Sequence, residues 1–366
     1  MFKKVFIVLH SSSIGGAEVR FSQVWQRLSA TYPNIYLVLS ERLETLLKAR
    51  GLLDCSENNI IVLKGPRLRN YIIPLVKLSL LNIGSLFHYP LVSVGFIHSL
   101  LASRLVQSYT NNSLFKGEHD QTKIRFLVAL NFLFARRLDI LDPSVFEKFR
   151  QWKLLNRKIS KTELSFVDYA KFRPSDIRQN IIVFSGRMTS NANKGLRRLI
   201  EQMPEIIERL DRNLSESYRF IFMGDGSLVE SIEMEFTNNP RLKDRIQVFY
   251  SNHPEKILST SKVFLSLQSP TNYPSQSLLE ALSCGNLVVM TDDDQSRIMA
   301  TNDIAEFIPH RWSVEEISSA LIRLCKLDSK AFSEKSNMAA QFVREKFDMK
   351  SHIAYYAKLY NEVLDI

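Results

Sequence analysis

Arg187 and Lys194 stand seven positions apart at the two ends of one polar segment, Phe184-Ser185-Gly186-Arg187-Met188 leading to Asn193-Lys194-Gly195-Leu196. A guanidinium grips two oxygens at once, and an ammonium is a compact point charge on a flexible stem. The pair suits a diphosphate. A second segment, Ser269-Pro270-Thr271-Asn272-Tyr273-Pro274-Ser275-Gln276-Ser277-Leu278-Leu279-Glu280, runs on through Ala281-Leu282-Ser283-Cys284-Gly285. It reads as an irregular loop feeding a short helix, with serine at its start and glycine at its end. Glu280 is expected in the first turn, where the helix dipole favours a carboxylate and its two oxygens can accept the vicinal hydroxyls of a ribose. Ser269, Asn272, Tyr273, Ser275, Ser277 and Leu278 are the neighbouring candidate contacts.

Two glycine turns complete the set. Ser11-Ser12-Ser13-Ile14-Gly15-Gly16-Ala17-Glu18 lets backbone approach a ligand and opens a helix whose first N–H groups face an anion. Phe222-Met223-Gly224-Asp225-Gly226-Ser227 is a tight turn between a strand and a helix. Neither carries a Walker Gly-Lys-Ser/Thr, and the first lacks the spacing of a nicotinamide site.

These loops need elements to hold them. Short runs rich in Val, Ile and Phe at Val5–Leu9, Ile35–Leu39, Ile60–Leu63, Ile181–Phe184, Phe220–Met223, Ile246–Phe249, Val263–Leu267 and Leu287–Met290 read as strands. A further strand is expected at about Leu91–Ile97. Periodic segments between them read as helices, including Ala17–Leu28, Arg42–Arg50, about Asn70–Asn82, Gly195–Arg209, Leu228–Glu235, Pro254–Leu258 and Ser277–Ser283. Alternating strands and helices give α/β architecture with parallel sheets. Two such series are separated near 168–176, with Lys171-Phe172-Arg173-Pro174-Ser175-Asp176 as a linker. The expected domains are 1–172 and 173–350, followed by a terminal helical segment, 351–366, that packs back on the first. Doubly wound domains bind ligands outside the carboxyl ends of their strands.

Composition narrows the partners. The 366 residues are 45% hydrophobic and 23% charged, an ordinary globular balance for two domains. Cys55, Cys284 and Cys325 are far apart, which argues against a disulfide framework or a cysteine zinc site and fits a reducing cytoplasm. The net charge of +10 is uneven: residues 1–170 hold 23 Lys/Arg against 12 Asp/Glu, and residues 171–366 hold 25 against 26. A basic half suits nucleic acid, an anionic membrane surface or a phosphorylated substrate. No RNA-binding or finger pattern is present, so nucleic acid is not expected. The apolar opening of the chain is too short for a signal peptide. Leu78–Ser103 has no charged residue, yet its Asn82, Gly84, His88, Pro90 and His98 favour a helix, a turn and a strand over a membrane span. Arg67, Arg69 and Lys77 at the edge of that apolar helix would allow it to lie on a membrane surface.

The order of loops resembles the GT-B glycosyltransferases, in particular the retaining, nucleotide-sugar-dependent enzymes of family 4. The resemblance runs through Gly15-Gly16-Ala17-Glu18, Val167-Asp168 with Phe172-Arg173-Pro174, Gly186-Arg187 with Lys194-Gly195, Gly224-Asp225-Gly226, and Leu279-Glu280-Ala281 with Cys284-Gly285. It implies two Rossmann-like domains facing each other across a cleft. It further implies neutralisation of the donor diphosphate by Arg187 and Lys194, a ribose contact at Glu280, and Gly15 and Gly16 beside donor phosphates and acceptor. Gly186 and Gly224 belong to the same donor site. The last helix, about Ile353–Leu364, would cross back onto the first domain through Tyr355, Tyr356, Leu359 and Tyr360. The resemblance also implies a histidine near the donor sugar, for which His98 and His119 are the candidates. An acidic residue is expected eight positions before Glu280, where this sequence has Asn272 (Thr271 if the alignment is anchored on Tyr273-Pro274). The loop Thr291-Asp292-Asp293-Asp294 reads as solvated, and neither a metal nor a resident cofactor is expected; the nucleoside diphosphate sugar is a co-substrate. The implied activity is sugar transfer to a glycan or lipid-linked acceptor in cell-envelope polysaccharide or lipopolysaccharide synthesis. The implied location is the cytoplasm, at the inner face of a membrane. Two other readings use the same loops: a nucleotide-sugar-binding protein without turnover, and a nucleotide-sugar epimerase.

Overall fold

A computed structural model describes residues 3–11, 14–53, 59–65, 69–91, 94–109, 122–151, 156–162, 165–189, 194–268 and 273–365. The chain forms two compact units, residues 1–164 with 350–366, and residues 165–349. His119, Ser269 and Asn272 lie outside the described residues.

The first unit holds a seven-stranded parallel sheet. Its strands are β1 (Val5–Leu9), β2 (Ile35–Ser40), β3 (Ile60–Leu63), β4 (Leu86–Tyr89), β5 (Arg104–Tyr109), β6 (Arg137–Ile140) and β7 (Ile159–Lys161), in the order β3-β2-β1-β4-β5-β6-β7. Val5 to Leu9 pair with Ile35 to Leu39 on one side, and Val5 to Ile7 with Leu86 to His88 on the other. All five residues of β1 are buried. A strand covered on both faces reads as a continuous apolar run, as this one does.

Successive strand residues point to opposite faces. Phe87 packs with Phe6, Tyr89, Leu105 and Leu138 beneath the helices Arg69–Leu81 and Thr122–Phe134. His88, its neighbour, meets Phe21 of the helix Gly16–Ser29 and Tyr356 of the terminal helix Met349–Leu364 on the other face. That terminal helix is fixed by a buried polar cluster. The Asp139 carboxyl group accepts from Ser108 Oγ (2.5 Å), Thr162 Oγ1 (2.6 Å), Tyr355 OH (2.6 Å) and Tyr356 OH (3.0 Å). His88 bridges Ser108 Oγ and Tyr360 OH at 2.7 and 2.6 Å. Burial pushes the His88 imidazole down to about 3, so the ring is neutral.

The strand expected at Leu91–Ile97 is displaced. The pairing run is Leu86–Tyr89, ending before Pro90, and Phe96–Leu100 is a short helix. Proline has no N–H for the ladder, and the chain turns after it. Gly95 then caps the helix where a Cβ would sit 2.9 Å from Leu105 Cδ1.

The second unit holds six parallel strands: β8 (Ile181–Ser185), β9 (Arg219–Met223), β10 (Ile246–Phe249), β11 (Val263–Ser266), β12 (Leu287–Thr291) and β13 (Ala305–Ile308), ordered β10-β9-β8-β11-β12-β13. The helix Lys194–Asn213 buries Leu196, Leu199, Met203 and Ile206 in the core, with Trp312 and Leu321 from following segments. The segment after Ser165 is laced to this unit. Tyr169 OH donates to the carbonyls of Val343 and Phe347, and Ser283 Oγ donates to Phe172 O at 2.7 Å. No helix among the described residues is long and apolar enough to cross a membrane.

Candidate functional site

In an open parallel sheet the carboxyl-end crevice forms where successive connections leave in opposite directions. In the second unit that switch lies between β8 and β11, since β9 and β10 continue one way and β12 and β13 the other. The loop after β8 carries Gly186 and Arg187, and the segment after β11 leads to the helix Gln276–Ser283. The loop with Arg187 and the segment leading to the helix of Glu280 therefore leave neighbouring strand ends of one unit.

Both neighbours of Arg187 are pinned. Gly186 N–H donates to Met223 O at 3.1 Å, Met188 N–H donates to Asp225 O at 2.8 Å, and Met188 O accepts from Leu228 N–H at 2.9 Å. The Gly224-Asp225-Gly226 turn is more than a tight turn. A Cβ on Gly224 would collide with the Gly186 carbonyl, and one on Gly226, at φ +141°, with the Met188 carbonyl. Glycine at both positions lets the two loops knit backbone to backbone. Arg187 projects from this seam as an exposed side chain, and Lys194 opens the following helix.

The helix Gln276–Ser283 is tied to the same strand end by Ser277 Oγ, which donates to Ser185 O at 3.3 Å. Leu278, Leu279, Ala281 and Leu282 are fully buried and fix its orientation. At the far end Gly285, at φ +76°, terminates it: Gly285 N–H bonds Leu282 O and Asn286 N–H bonds Ala281 O. At the near end Ser275 occupies the cap position, but its side chain makes no capping bond and its N–H is directed at Met299 Sδ, 3.3 Å away. Tyr273 is buried and joined to Pro274 by a cis peptide.

Glu280 is the fifth residue of the helix, not part of its first turn, so the dipole argument for its charge does not apply. Its environment is set by burial instead, which pushes the carboxyl up to about 7. Gln276 Nε2 donates to Glu280 Oε1 at 3.3 Å and, with Lys171, favours the charged form; Glu255 opposes it. Gln276 Nε2 also donates to Phe166 O at 3.2 Å.

In the first unit the switch falls between β1 and β4. Gly15 caps the helix Gly16–Ser29 there, and its N–H donates to Glu18 Oε2 at 2.8 Å. Glu18 is thus a buried helix cap, its carboxylate turned to the chain itself. A Cβ on Gly16 would meet nothing within 4 Å, so space is open above the turn. His98 is buried beneath Tyr89, the last residue of β4. It is 1% exposed, stacked on Phe87 with ring centroids 3.7 Å apart, and its Nε2 pairs with Tyr89 OH at 2.7 Å. Burial holds its ring down at about 3. In this structure it packs as a core residue. Sequence reasoning missed His10, which directly follows β1 at the switch point. Among the described histidines of this unit it alone is part-exposed. Its position one residue past an apolar run was the available signal.

The three aspartates after β12 are not a shared ligand set. Arg297 pairs bidentately with Asp292, and Asp293 Oδ1 accepts the Ser296 N–H at 2.7 Å.

Two all-parallel, doubly wound units with crevices at their switch points are the GT-B fold. Residues 179–326 match the family described as Glycosyl transferases group 1. A stretch of 110 residues is 30% identical to a Campylobacter jejuni enzyme named GalNAc-alpha-(1->4)-GalNAc-alpha-(1->3)-diNAcBac-PP-undecaprenol alpha-1,4-N-acetyl-D-galactosaminyltransferase; the match spans 30% of this chain and 28% of that protein. Among solved structures, Anabaena HepE in complex with UDP-glucose superposes with a TM-score of 0.77 at 16% identity, over 99% of this chain and 100% of that one. The lipopolysaccharide outer core galactosyltransferase WaaB superposes with a TM-score of 0.64 at 14% identity, over 100% and 99%. At such identities the likeness is one of fold.

Proposed function

We propose that this chain moves a sugar from a nucleoside diphosphate sugar to a glycan or lipid-linked acceptor, with retention at the anomeric carbon, in cell-envelope polysaccharide or lipopolysaccharide synthesis. The observation that carries the reading is the pinned loop at the β8/β11 switch. It holds Arg187 between two backbone ties, beside a helix that bears Glu280 and is bonded to the same strand end. The Campylobacter relative is named for an undecaprenol diphosphate-linked acceptor, and HepE was crystallised with UDP-glucose. The first supports a lipid-linked acceptor here, and the second a nucleotide-sugar donor.

In this reading the donor's ribose hydroxyls donate to Glu280, and its diphosphate lies against Arg187, Lys194 and the start of the helix Gln276–Ser283, where Ser277 and Leu278 lie. The bond between the anomeric carbon and the diphosphate oxygen breaks, and its electron pair stays on the diphosphate. Arg187 and Lys194 stabilise that growing charge without recourse to a metal ion. The acceptor hydroxyl enters from the same face and loses its proton to the departing oxygen. The Gly15–Gly16 turn and His10 belong to the acceptor side. Arg187→Ala or Lys194→Ala should lower turnover by about 10²–10³-fold, as loss of an oxyanion donor does. Near-wild-type transfer by either variant would contradict the assignment.

Asn272, standing where the resemblance implies an acid, favours a second reading: donor binding without turnover. A binding protein would give a thermal shift with nucleotide sugars yet release no nucleoside diphosphate with any acceptor.

A further inference from the structure

Gln276 and Glu280 stand four residues apart on the helix Gln276–Ser283, the spacing that brings two side chains together on one face. The glutamine is held at three points. Its Nε2 donates to Glu280 Oε1 at 3.3 Å and to Phe166 O at 3.2 Å, and its Oε1 accepts from Ser165 Oγ at 3.4 Å. Ser165 and Phe166 are each 1% exposed, so two of the three anchors are core groups. A carbonyl and a carboxylate only accept, so the amide turns its nitrogen to both of them. Its two N–H groups are thereby committed to fixed directions, and the serine hydroxyl locks its oxygen.

Glu280 remains part-exposed, within reach of a ligand. Other groups act on its charge from neighbouring segments. Lys171, on the segment before the second sheet, favours the ionised form, and Glu255 of the helix Pro254–Leu258 opposes it. Lys171 Nζ lies 3.5 Å from Glu255 Oε2, and His253 Nδ1 lies 3.1 Å from Glu255 Oε1, so the cation is shared with the opposing acid. Cys284 follows on the same helix, but burial pushes its thiol up to about 12 and it stays neutral. Gln276 alone among these groups hydrogen-bonds the Glu280 carboxyl directly. A vicinal diol needs acceptors. An ionised carboxylate offers about four lone-pair sites, whereas the neutral acid carries a proton on one oxygen.

We propose that Gln276 is a positioning residue for Glu280: it holds one carboxyl oxygen and favours the ionised form, which leaves the remaining lone pairs for the two hydroxyls of a ribose. The ribose belongs to the donor reading above and rests on it. The hold on Glu280 rests on the three contacts of Gln276.

The test has two readouts on the full chain. One is NMR titration of the labelled Glu280 carboxyl without ligand, assigned by its absence in Glu280→Gln. The other is calorimetric affinity for UDP and GDP between about pH 6 and about pH 8.5. Gln276→Met keeps the length of the side chain and removes the amide. Its Glu280 carboxyl should titrate about one pH unit higher than in wild type. Affinity for the diphosphate that wild type prefers should then fall about fivefold at about pH 7 and less than about twofold at about pH 8.5. A purely structural loss would lower affinity by the same factor at every pH. Ser165→Ala keeps the amide and removes its lock, and should move the carboxyl the same way by less. Glu255→Gln removes the opposing charge and should move it down. An unmoved carboxyl in either Gln276→Met or Ser165→Ala, or an affinity loss independent of pH, would overturn the proposal. An upward shift in the free variant beside no binding of UDP or GDP by wild type would sink the donor reading and leave the hold of Gln276 on Glu280 standing.

Discussion

At the scale of single residues, Glu280 makes the sharpest claim. Its carboxyl is held up at about 7 by burial, so it is mostly neutral below that pH and charged above it. A charged carboxylate accepts hydroxyl donors more strongly than a neutral acid. Nucleoside diphosphate affinity should therefore rise as pH increases from about 6 to about 8. In the free protein the sign is opposite: a carboxyl whose folded value is raised stabilises the fold at low pH, and that contribution is lost as pH rises through about 7. Calorimetric titration of Glu280→Gln should show affinity reduced by about tenfold and this pH step removed. An unchanged pH profile would mean that another group titrates. The residue type and its neighbourhood were legible in the sequence, but the protonation was not. Position within the helix pointed to a dipole effect, whereas burial, aided by the nearby Glu255, decides the matter. His98 taught the reverse lesson. Its sequence context fits a site or a core equally well, and only the stack on Phe87 distinguishes them.

At the scale of elements, the knitted loops and the terminal helix carry the energetics. Gly224→Ala forces a methyl group into the Gly186 carbonyl, so the seam must open. Thermal or denaturant unfolding should show a loss of about 1–3 kcal/mol, the range for overpacking, together with weaker diphosphate binding. Gly186→Ala, whose Cβ would meet only Phe184 at 3.8 Å, should be far milder. The terminal helix depends on Asp139. Tyr356→Phe keeps the packing and deletes one donor to a buried carboxyl group, a change expected to lower unfolding free energy by about 1–3 kcal/mol. Equal stability of Tyr356→Phe and wild type would show that the cluster orients the helix without stabilising it. Strands β1, β2, β8, β11 and β12 were readable as apolar runs because they are buried almost throughout. The short strands β5, β6 and β7 were not, since Arg104, Gln107, Asp139 and Ser160 break the pattern, and their ladder is set by neighbours far away in sequence. Pro90 misdirected the placement of β4, which ends before it and not after.

At the scale of the whole molecule, the asymmetric charge recorded in the sequence acquires a location. The excess positive charge falls in the unit that also exposes apolar helix surface, while the nearly neutral half contains the glycine-knit loop that carries Arg187. In the proposed reading the cationic unit takes the acceptor and the glycine-knit unit takes the donor. The alternation of strands and helices made the two-sheet architecture legible. The acidic position replaced by Asn272 was also legible, as a departure whose consequence only turnover measurements reveal.

The central claim is that Arg187 and Lys194 grip the donor's diphosphate. Calorimetric titration of wild type and Arg187→Ala with UDP, GDP and the corresponding nucleosides tests it most directly. The account predicts that the variant loses at least about tenfold in affinity for the diphosphate it prefers while binding the matching nucleoside as wild type does. Equal diphosphate affinity in the two proteins would contradict it.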